Sequence, residues 1–420
     1  MNWDAQDFSL ALSVFCFGYP FVMAWYWMAG GLLFHWLRER HEPLPDNPPP
    51  LASYPLVSIL LPCFNEEDQA AETFAALQQI EYPNWEVIAI NDGSKDRTAE
   101  ILDQLALQMP QLRVVHLAQN QGKSTALIVG ALAARGEFLV GIDGDALLDR
   151  HALTWFMRRF LADTQLGALT GNPRIRNRAT LLGRLQVGEF SSVVGLIKRA
   201  QSVYGVLFTV SGVICAFRKK ALAEAGWWSP EALTDDVEVT WRMQLAGWHV
   251  AFEPKALCWI LMPETLKGLW RQRLRWAEGG MQSVLAATPV MFSRGAWRLV
   301  PIWGNFLLSV AWAYAMLLGL LLGAVSALWP QLTGGPLGFG ALPAWWGAVL
   351  ALTYLLQSAV SVAVDSRFEK GLAKSLFWVI WYPLVFWLLQ TFTAVLGAPR
   401  AMLRSKTQRG TWVSPDRGVR

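Results

Sequence analysis

Charged residues are missing from three long stretches of this 420-residue chain. No Asp, Glu, Lys or Arg occurs in residues 9–36, 299–364 or 375–399. A helix needs roughly 20 apolar residues to cross a bilayer, and the middle stretch is long enough for two crossings separated by a proline- and glycine-rich segment. The sequence therefore argues against a wholly soluble protein. It predicts four transmembrane helices, near residues 9–34, 299–329, 345–364 and 375–397.

Cysteine is also scarce. The four cysteines, Cys16, Cys63, Cys215 and Cys258, have neither CxxC nor zinc-site spacing, so we expect no disulfide. The motifs GxGxxG and GxxxxGK[ST] are absent from the sequence, which argues against a dinucleotide fold and a P-loop. The net charge of +4 is small, and basic residues cluster near the ends of the apolar stretches. This pattern favours membrane lipid head groups over nucleic acid as partners.

Basic residues also predict the side of the membrane on which each segment lies. Arg38 and Arg40 follow the first apolar stretch, so the positive-inside rule places the N-terminus outside and the next residues in the cytoplasm. Asp4 and Asp7 precede this stretch, where a secretory signal would carry basic residues. The stretch is therefore not expected to be a secretory signal. Three further crossings would put the basic tail, residues 400–420, outside, against the same rule. The sequence leaves this conflict open.

Only residues 42–296 can carry water-soluble chemistry. Short apolar strands alternate there with helices, with strands at 57–62, 85–91, 112–118 and 138–143 and helices at 66–79, 96–108 and 123–134. Such repeats predict an α/β fold with a mostly parallel, Rossmann-like sheet, which binds ligands at the carboxyl ends of its strands. The segments that follow the strands, PCFNEE, NDGSKD, QNQGK and DGDA, are polar and acidic. A ligand site is therefore expected at that edge.

Two pairs of acidic residues suit catalysis. Asp143 and Asp145 flank a glycine directly after a predicted buried strand, where both carboxylates could ligate one Mg²⁺ or Mn²⁺ ion. A solvated turn is the alternative. Asp235 and Asp236 enter a predicted helix, where acidic residues can simply cap the N-terminus. The functional alternative makes Asp236 a general base toward an attacking hydroxyl.

The stretch QRLRWAEGG, residues 272–280, lies in a basic amphipathic helix of the kind found on membrane surfaces. Gln272, Arg275 and Trp276 fall at i, i+3 and i+4, so they share one face of that helix. An amide, a guanidinium and an indole side by side are unusual for a surface helix. The alternative is that Trp276 is an interfacial anchor.

The motifs FNEE, NDGSKD, DGD, TDD and QRLRW occur in the order seen in the processive membrane glycosyltransferases of family 2, which include the cellulose, chitin and hyaluronan synthases. The resemblance covers residues 55–280. The stretches GNPRIRNR, VGEFSSVVGLIKRAQ and CWILMPETLKGLWRQRLRWAEGG resemble those bacterial members that make poly-β-1,6-N-acetylglucosamine. The resemblance implies a cytoplasmic GT-A (Rossmann-like) domain inserted between transmembrane helices. The expected domains are an N-terminal transmembrane helix at 9–36, the GT-A domain at 42–296, three transmembrane helices at 299–397 and the basic tail at 400–420.

The resemblance also implies roles for the residues that match. The expected donor-binding residues are Asn65, Glu66, Asp92, Lys123 and Asp143, the expected metal ligands are Asp145 and Asp143, and the expected catalytic residues are Asp236, Gln272, Arg275 and Trp276. Residues 210–213, VSGV, are expected to line the acceptor path. Asp235 replaces the glutamate of the family's TED motif, so the role of that glutamate is in doubt here. The single N-terminal span also departs from the two that enterobacterial relatives carry.

The implied reaction is inverting, metal-dependent transfer from UDP-N-acetylglucosamine to a growing β-1,6-linked exopolysaccharide of a biofilm matrix, coupled to export across the inner membrane. By the same resemblance we expect a small two-span accessory subunit and activation by cyclic di-GMP. Another β-glycan, such as chitin or hyaluronan, is an alternative product, and a single transfer to a lipid is another. A transporter with a nucleotide-sensing domain would carry charges within its spans, whereas residues 299–364 carry none.

Overall fold

The computed structural model describes residues 5–293, 295–333, 337–341, 345–380 and 382–405. The strands are β1 Val57–Cys63, β2 Trp85–Asp92, β3 Leu112–Leu117, β4 Phe138–Ile142, β5 Leu147–Leu148, β6 Leu166–Ile175, β7 Ile214–Arg218 and β8 His249–Ile260. The helices are α1 Ala5–Phe34, α2 Ala70–Leu77, α3 Thr98–Gln108, α4 Lys123–Ala133, α5 Ala152–Ala162, α6 Leu181–Phe190, α7 Ile197–Tyr204, α8 Lys219–Glu224, α9 Asp235–Leu245, α10 Leu266–Ala287, α11 Val300–Leu328, α12 Pro330–Thr333, α13 Trp345–Asp365, α14 Leu376–Val379 and α15 Tyr382–Leu403. Short π-helical segments extend α1 to Glu39 and join α6 to α7.

The strands form one mixed sheet in the order β3-β2-β1-β4-β7-β6-β8-β5. Strands β1 to β4 pair in parallel, whereas β7 runs antiparallel to β4 and β6. The chain builds outward from β1 to β3 and then returns to the other side of β1 with β4. This reversal opens a crevice at the carboxyl ends of β1 and β4, which is where such sheets bind ligands.

The four predicted strands are confirmed, each to within a residue. Their apolar runs predict them well because β1, β2 and β4 are covered on both faces. Val57, Ile59 and Leu61 pack with Phe74 on one face of the sheet, and Leu60 packs into a second cluster on the other. The helix predicted from residue 66 begins only at Ala70, so Glu66 belongs to the loop that follows β1.

Among the residues that the structure describes, three segments are long and apolar enough to cross a membrane: Ala5–Glu39, Trp297–Leu328 and Trp345–Asp365. They coincide with the first three predicted spans. The stretch predicted as the fourth span is divided, because α14 ends at Val379 and α15 begins only at Tyr382. Pro383 follows Tyr382 at the start of α15, a position that proline tolerates at a helix N-terminus but not inside a helix.

A buried ionic network ties the sheet domain to the ends of two of these segments. The fully buried guanidinium of Arg199 donates to Glu39 at 3.0 Å and to Asp365 at 2.7 Å. Arg174 donates to Asp365 and to Glu369, both at 2.8 Å. Buried charges are tolerated only when they are paired and hydrogen-bonded, so the network fixes the ends of α1 and α13 against β6 and α7.

Candidate active site

The Asp-Gly-Asp turn follows β4 directly and lies in the crevice beside the loop after β1. Asp145 is buried, at 7% exposure. Gly144 packs on Glu66 so closely that a Cβ at Gly144 would lie 3.0 Å from the Glu66 Cδ. Glu66 is itself buried. The structure therefore brings together the acidic segments after β1 and β4, as the sequence predicts.

Lys123 is the first residue of α4 and places a cation in the crevice. Its Nζ donates to Asp143 Oδ1 at 2.5 Å and to the Gly212 carbonyl oxygen at 3.1 Å. Burial disfavours the charged amine, but the attraction of Asp143, Asp235 and Asp236 outweighs burial and raises the pKa of Lys123. The side chain therefore stays charged where a diphosphate would need compensation.

Two of the residues predicted to bind the donor support the surrounding loops. Asn65 has a left-handed backbone, with φ 56°, and its Oδ1 accepts from the Lys95 amide at 2.9 Å. The Asp92 carboxylate accepts from the amides of Gln121 at 2.7 Å and Gly122 at 2.9 Å. Asp92 thereby fixes the loop that leads to Lys123. Contacts between the donor and either side chain stay a prediction.

Asp236 sits in the first turn of α9 and faces the same crevice. Its Oδ2 accepts from the Gly212 amide at 3.2 Å. Burial and the neighbouring Asp235 raise the pKa of Asp236, while Lys123 and Arg275 act in the opposite direction. A carboxylate whose pKa is raised in a cleft is suited to accept a proton from a hydroxyl.

Gln272, Arg275 and Trp276 lie on α10, which is a helix as predicted. Gln272 Oε1 is buried and has no hydrogen-bond partner among the described residues, so it can accept from a ligand. Arg275 is exposed and close enough to Asp236 to lower the pKa of that carboxyl. Trp276 is half-buried. Arg275 thus lies beside the crevice, and the roles of Gln272 and Trp276 stay predictions.

Sequence reasoning missed the pair that holds Trp276. The Arg273 Cζ lies 4.4 Å from the centroid of the Trp276 ring, and Arg273 Nη2 donates to Glu189 Oε2 at 2.9 Å. Both charged side chains are buried. Arg273 lies three residues before Trp276 on the same helix, and this spacing could have indicated that the two side chains are in contact. Nothing in the sequence pairs Arg273 with Glu189.

Gly279 explains part of the AEGG segment that follows the motif. A Cβ at Gly279 would lie 2.4 Å from Thr234 Oγ1. Thr234 immediately precedes Asp235, so this glycine lets α10 pack directly against the start of α9. The close approach brings the motif helix and Asp236 to the same crevice.

The carboxylates of the crevice supply only some of the ligands that a divalent cation needs. The described residues contain no group of three or more His, Cys, Asp or Glu side chains that could hold a metal ion. Asp143 and Asp145 offer two carboxylates, and Asp143 is also bonded to Lys123. Mg²⁺ is commonly bound through one or two carboxylates together with substrate phosphates and water. The two residues therefore fit a cation that is shared with a diphosphate, rather than one held by protein alone.

Residues 55–279 match the family described as glycosyltransferase like family 2. The chain belongs to this family, and it is a hexosyltransferase with a GT-A catalytic domain.

Two relatives and one solved structure show more specifically which proteins this chain resembles. The poly-beta-1,6-N-acetyl-D-glucosamine synthase of Staphylococcus epidermidis (strain RP62A) is 34% identical over 407 residues, covering 95% of this chain and 97% of that protein. The enzyme of the same name from Staphylococcus aureus (strain MSSA476) is 34% identical over 403 residues, with the same coverage. A solved structure of the Pyrobaculum calidifontis mannosyltransferase PcManGT with GDP-Man and Mn²⁺ has a TM-score of 0.66 at 20% identity, covering 95% of this chain and 99% of that chain. The predicted resemblance and fold class are confirmed.

Proposed function

We propose that this protein transfers N-acetylglucosamine from UDP-N-acetylglucosamine to the end of a growing β-1,6-linked chain. The observation that carries the proposal is the meeting of Asp236, Lys123 and Asp143 in one crevice. The curated relatives named for this product match 95% of the chain, which supports the same donor and linkage.

In the proposed reaction Asp236 accepts the proton of the acceptor's 6-hydroxyl group. The hydroxyl oxygen forms a bond to C1 of the donor sugar as the bond from C1 to the diphosphate breaks. One displacement inverts the α-linked donor to a β-linked product, and UDP leaves with the bonding electrons. A general base of this kind contributes roughly 10²- to 10⁴-fold to the rate.

The leaving diphosphate gains negative charge as the bond breaks. Lys123 is held in the crevice by Asp143, and Arg275 extends from the neighbouring helix, so both cations can stabilise that charge. Mg²⁺ or Mn²⁺, bound by Asp145 and Asp143 together with the diphosphate, would neutralise more of it. Glu66, Asn65 and Asp92 would then line the nucleotide side of the site.

Trp276 and Gln272 would hold the acceptor. The indole offers a flat face on which the terminal sugar can stack. Gln272 Oε1, which has no hydrogen-bond partner in the described part of the chain, can accept from a sugar hydroxyl. A chain that stays bound after each transfer is extended again, which gives a polymer.

The contacts of the membrane segments support three crossings with the catalytic domain in the cytoplasm. Glu39 and Asp365, at the ends of α1 and α13, both bond Arg199 of the catalytic domain. At the other end of α1, the hydroxyls of Ser9 and Ser13 bond the backbone of Gly338. The loop between α11 and α13 therefore belongs on the opposite side, outside.

The segment after α13 would return to the side from which it starts. Glu369 bonds Arg174, and Arg404 approaches Glu278 of α10 at 3.6 Å. Both ends of this segment thus contact the catalytic side. On this arrangement α15 packs along α10 without crossing, and the basic residues up to Arg404 stay in the cytoplasm, as the positive-inside rule requires. Residues 406–420 lie outside the described residues.

The same proposal places the protein in the bacterial inner membrane as a multi-pass enzyme that couples synthesis of biofilm polysaccharide to export. The proposal also includes a small two-span accessory subunit and activation by cyclic di-GMP. These parts depend on the likeness to the family.

The experiment is a transfer assay on purified protein in lipid nanodiscs. UDP-N-acetylglucosamine, UDP-glucose and UDP-glucuronic acid are supplied separately, and the products are digested with a β-1,6-specific N-acetylglucosaminidase or with chitinase. The proposal expects polymer from UDP-N-acetylglucosamine alone, degraded by the first hydrolase and not by chitinase. Polymer that only chitinase degrades would indicate that the product has the linkage of chitin. Products with a single added sugar would overturn the proposal that the protein makes a polymer.

A further inference from the structure

Lys198 of α7 is a buried lysine for which the proposed reaction has no use so far. Its side chain is only 5% exposed. Its Nζ donates to Ser211 Oγ at 2.6 Å and to Thr170 Oγ1 at 3.1 Å. Both acceptors are hydroxyls rather than carboxylates. Burying an ammonium group against neutral partners costs free energy, so the presence of a lysine at this position calls for an explanation beyond packing.

The segment that Lys198 holds touches both halves of the site. The Ser211 amide also donates to Thr170 Oγ1, at 2.8 Å. The next residue, Gly212, donates from its amide to Asp236 at 3.2 Å and accepts from Lys123 at its carbonyl oxygen. A displacement of Ser211 would therefore move the hydrogen-bond donor of the base and the acceptor of the donor-site cation together.

We propose that Lys198 is a positioning residue for the transfer reaction, which anchors the Ser211–Gly212 segment and orients Asp236 toward the acceptor hydroxyl. This inference rests on the proposed function. Lys198 acts through Ser211 and Gly212 and through its charge, and touches neither sugar nor nucleotide.

The electrostatics agree with this placement. Burial lowers the pKa of Lys198 to about 7, against the attraction of Asp236 from α9. Cys215 on β7 is also near, but burial raises its pKa and it stays a neutral thiol. Asp236 in turn faces Asp235, Lys123 and Arg275. Below neutral pH a protonated Lys198 favours the ionised form of Asp236. Loss of that charge should therefore raise the pKa of Asp236.

The test compares Lys198→Met, Lys198→Gln and Ser211→Ala with the wild type and with Lys220→Met, which alters an exposed lysine of α8. Initial rates of sugar transfer are measured against donor concentration from acid to neutral pH. In Lys198→Met we expect kcat to fall roughly 10- to 100-fold because the base is misplaced, with the donor KM little changed. The acid limb of kcat/KM should move to higher pH by roughly one unit.

Two companion variants separate charge from hydrogen bonding. Ser211→Ala keeps the lysine and loses the anchored hydroxyl, so it should lower kcat without moving the acid limb upward. Lys198→Gln can still donate to Ser211 and should recover part of kcat while keeping the shifted limb. Lys220→Met should match the wild type.

Wild-type kcat in Lys198→Met or in Ser211→Ala would overturn the inference. So would a loss of activity in Lys198→Met with an unmoved acid limb, since that indicates a structural role alone. If Lys198→Met does not fold, the kcat of Ser211→Ala decides. If the wild-type protein uses another donor, the proposed function fails while the same comparison, made with that donor, still tests Lys198.

Discussion

The guanidinium of Arg273 covers one face of the Trp276 indole, with Cζ 4.4 Å from the ring centroid. Glu189 forms an ion pair with the same guanidinium at 2.8 Å. A cation over an aromatic face contributes about 0.5–2 kcal/mol, and the buried ion pair limits the movement of the ring further. Trp276 is thus held in place through one face, and we expect the acceptor sugar to stack on the other.

Trp276→Ala should therefore leave the protein folded and able to bind UDP, yet unable to elongate a chain. Stacking contributes roughly 0.5–1.5 kcal/mol beyond area burial, which suits holding an acceptor rather than folding a domain. Polymer length and UDP binding are measured on the same preparation. Trp270→Ala, on a different part of α10, is the control and should retain transfer. Polymer of wild-type rate and length from Trp276→Ala would contradict the assignment.

Asp145→Asn should abolish transfer, because the amide oxygen is a weaker ligand for a hard cation than a carboxylate. EDTA should inactivate the wild type, and added Mg²⁺ or Mn²⁺ should restore it. Activity is measured with both ions over a concentration series. Full wild-type activity in chelator would remove the metal role from Asp143 and Asp145, and would leave Lys123 and Arg275 as the main sources of positive charge.

A reporter inserted in the 330–344 loop should report the outer side of the membrane, and one fused after Arg404 should report the cytoplasm. The first expectation follows from the contacts of Gly338 with the beginning of α1, and the second from the pairing of Arg404 with Glu278. Paired phosphatase and fluorescent-protein fusions give the two readings. An outside reading after Arg404 would mean that residues 375–403 cross the membrane after all.

The pH dependence follows from the state that the base requires. Asp236 must be ionised to accept a proton, and its pKa is raised by burial and by Asp235. Activity should therefore fall as pH falls, and the midpoint of the acid limb of kcat/KM should lie above the usual pKa of an aspartate, which is about 3.9. Asp235→Asn removes the repelling charge, so the limb of kcat/KM should move to lower pH. A limb that moves upward in Asp235→Asn would contradict the electrostatic account.

Local patterns predicted four of the eight strands in the described sheet, and three of these, β1, β2 and β4, are apolar runs covered on both faces. The crevice was predictable because the segments after β1 and β4 must meet at a reversal of strand order. The partners of Lys198 and Arg273 were not predictable, since Ser211 and Glu189 come from other elements and neither pair has a sequence signature. The bonds of Asp92 were missed for the same reason: Gln121 and Gly122 contribute backbone amides, which no residue type reveals.

The claim that most needs testing is that Asp236 is the base of an inverting transfer. Asp236→Asn is nearly isosteric but cannot take up the proton, so turnover of UDP-N-acetylglucosamine should fall at least about a hundredfold while UDP binding stays near normal. Asp235→Asn is the matched control and should retain turnover near neutral pH. Single-turnover transfer and UDP binding are measured on both variants. An active Asp236→Asn beside an inactive Asp235→Asn would contradict the account and assign the base to the other carboxylate.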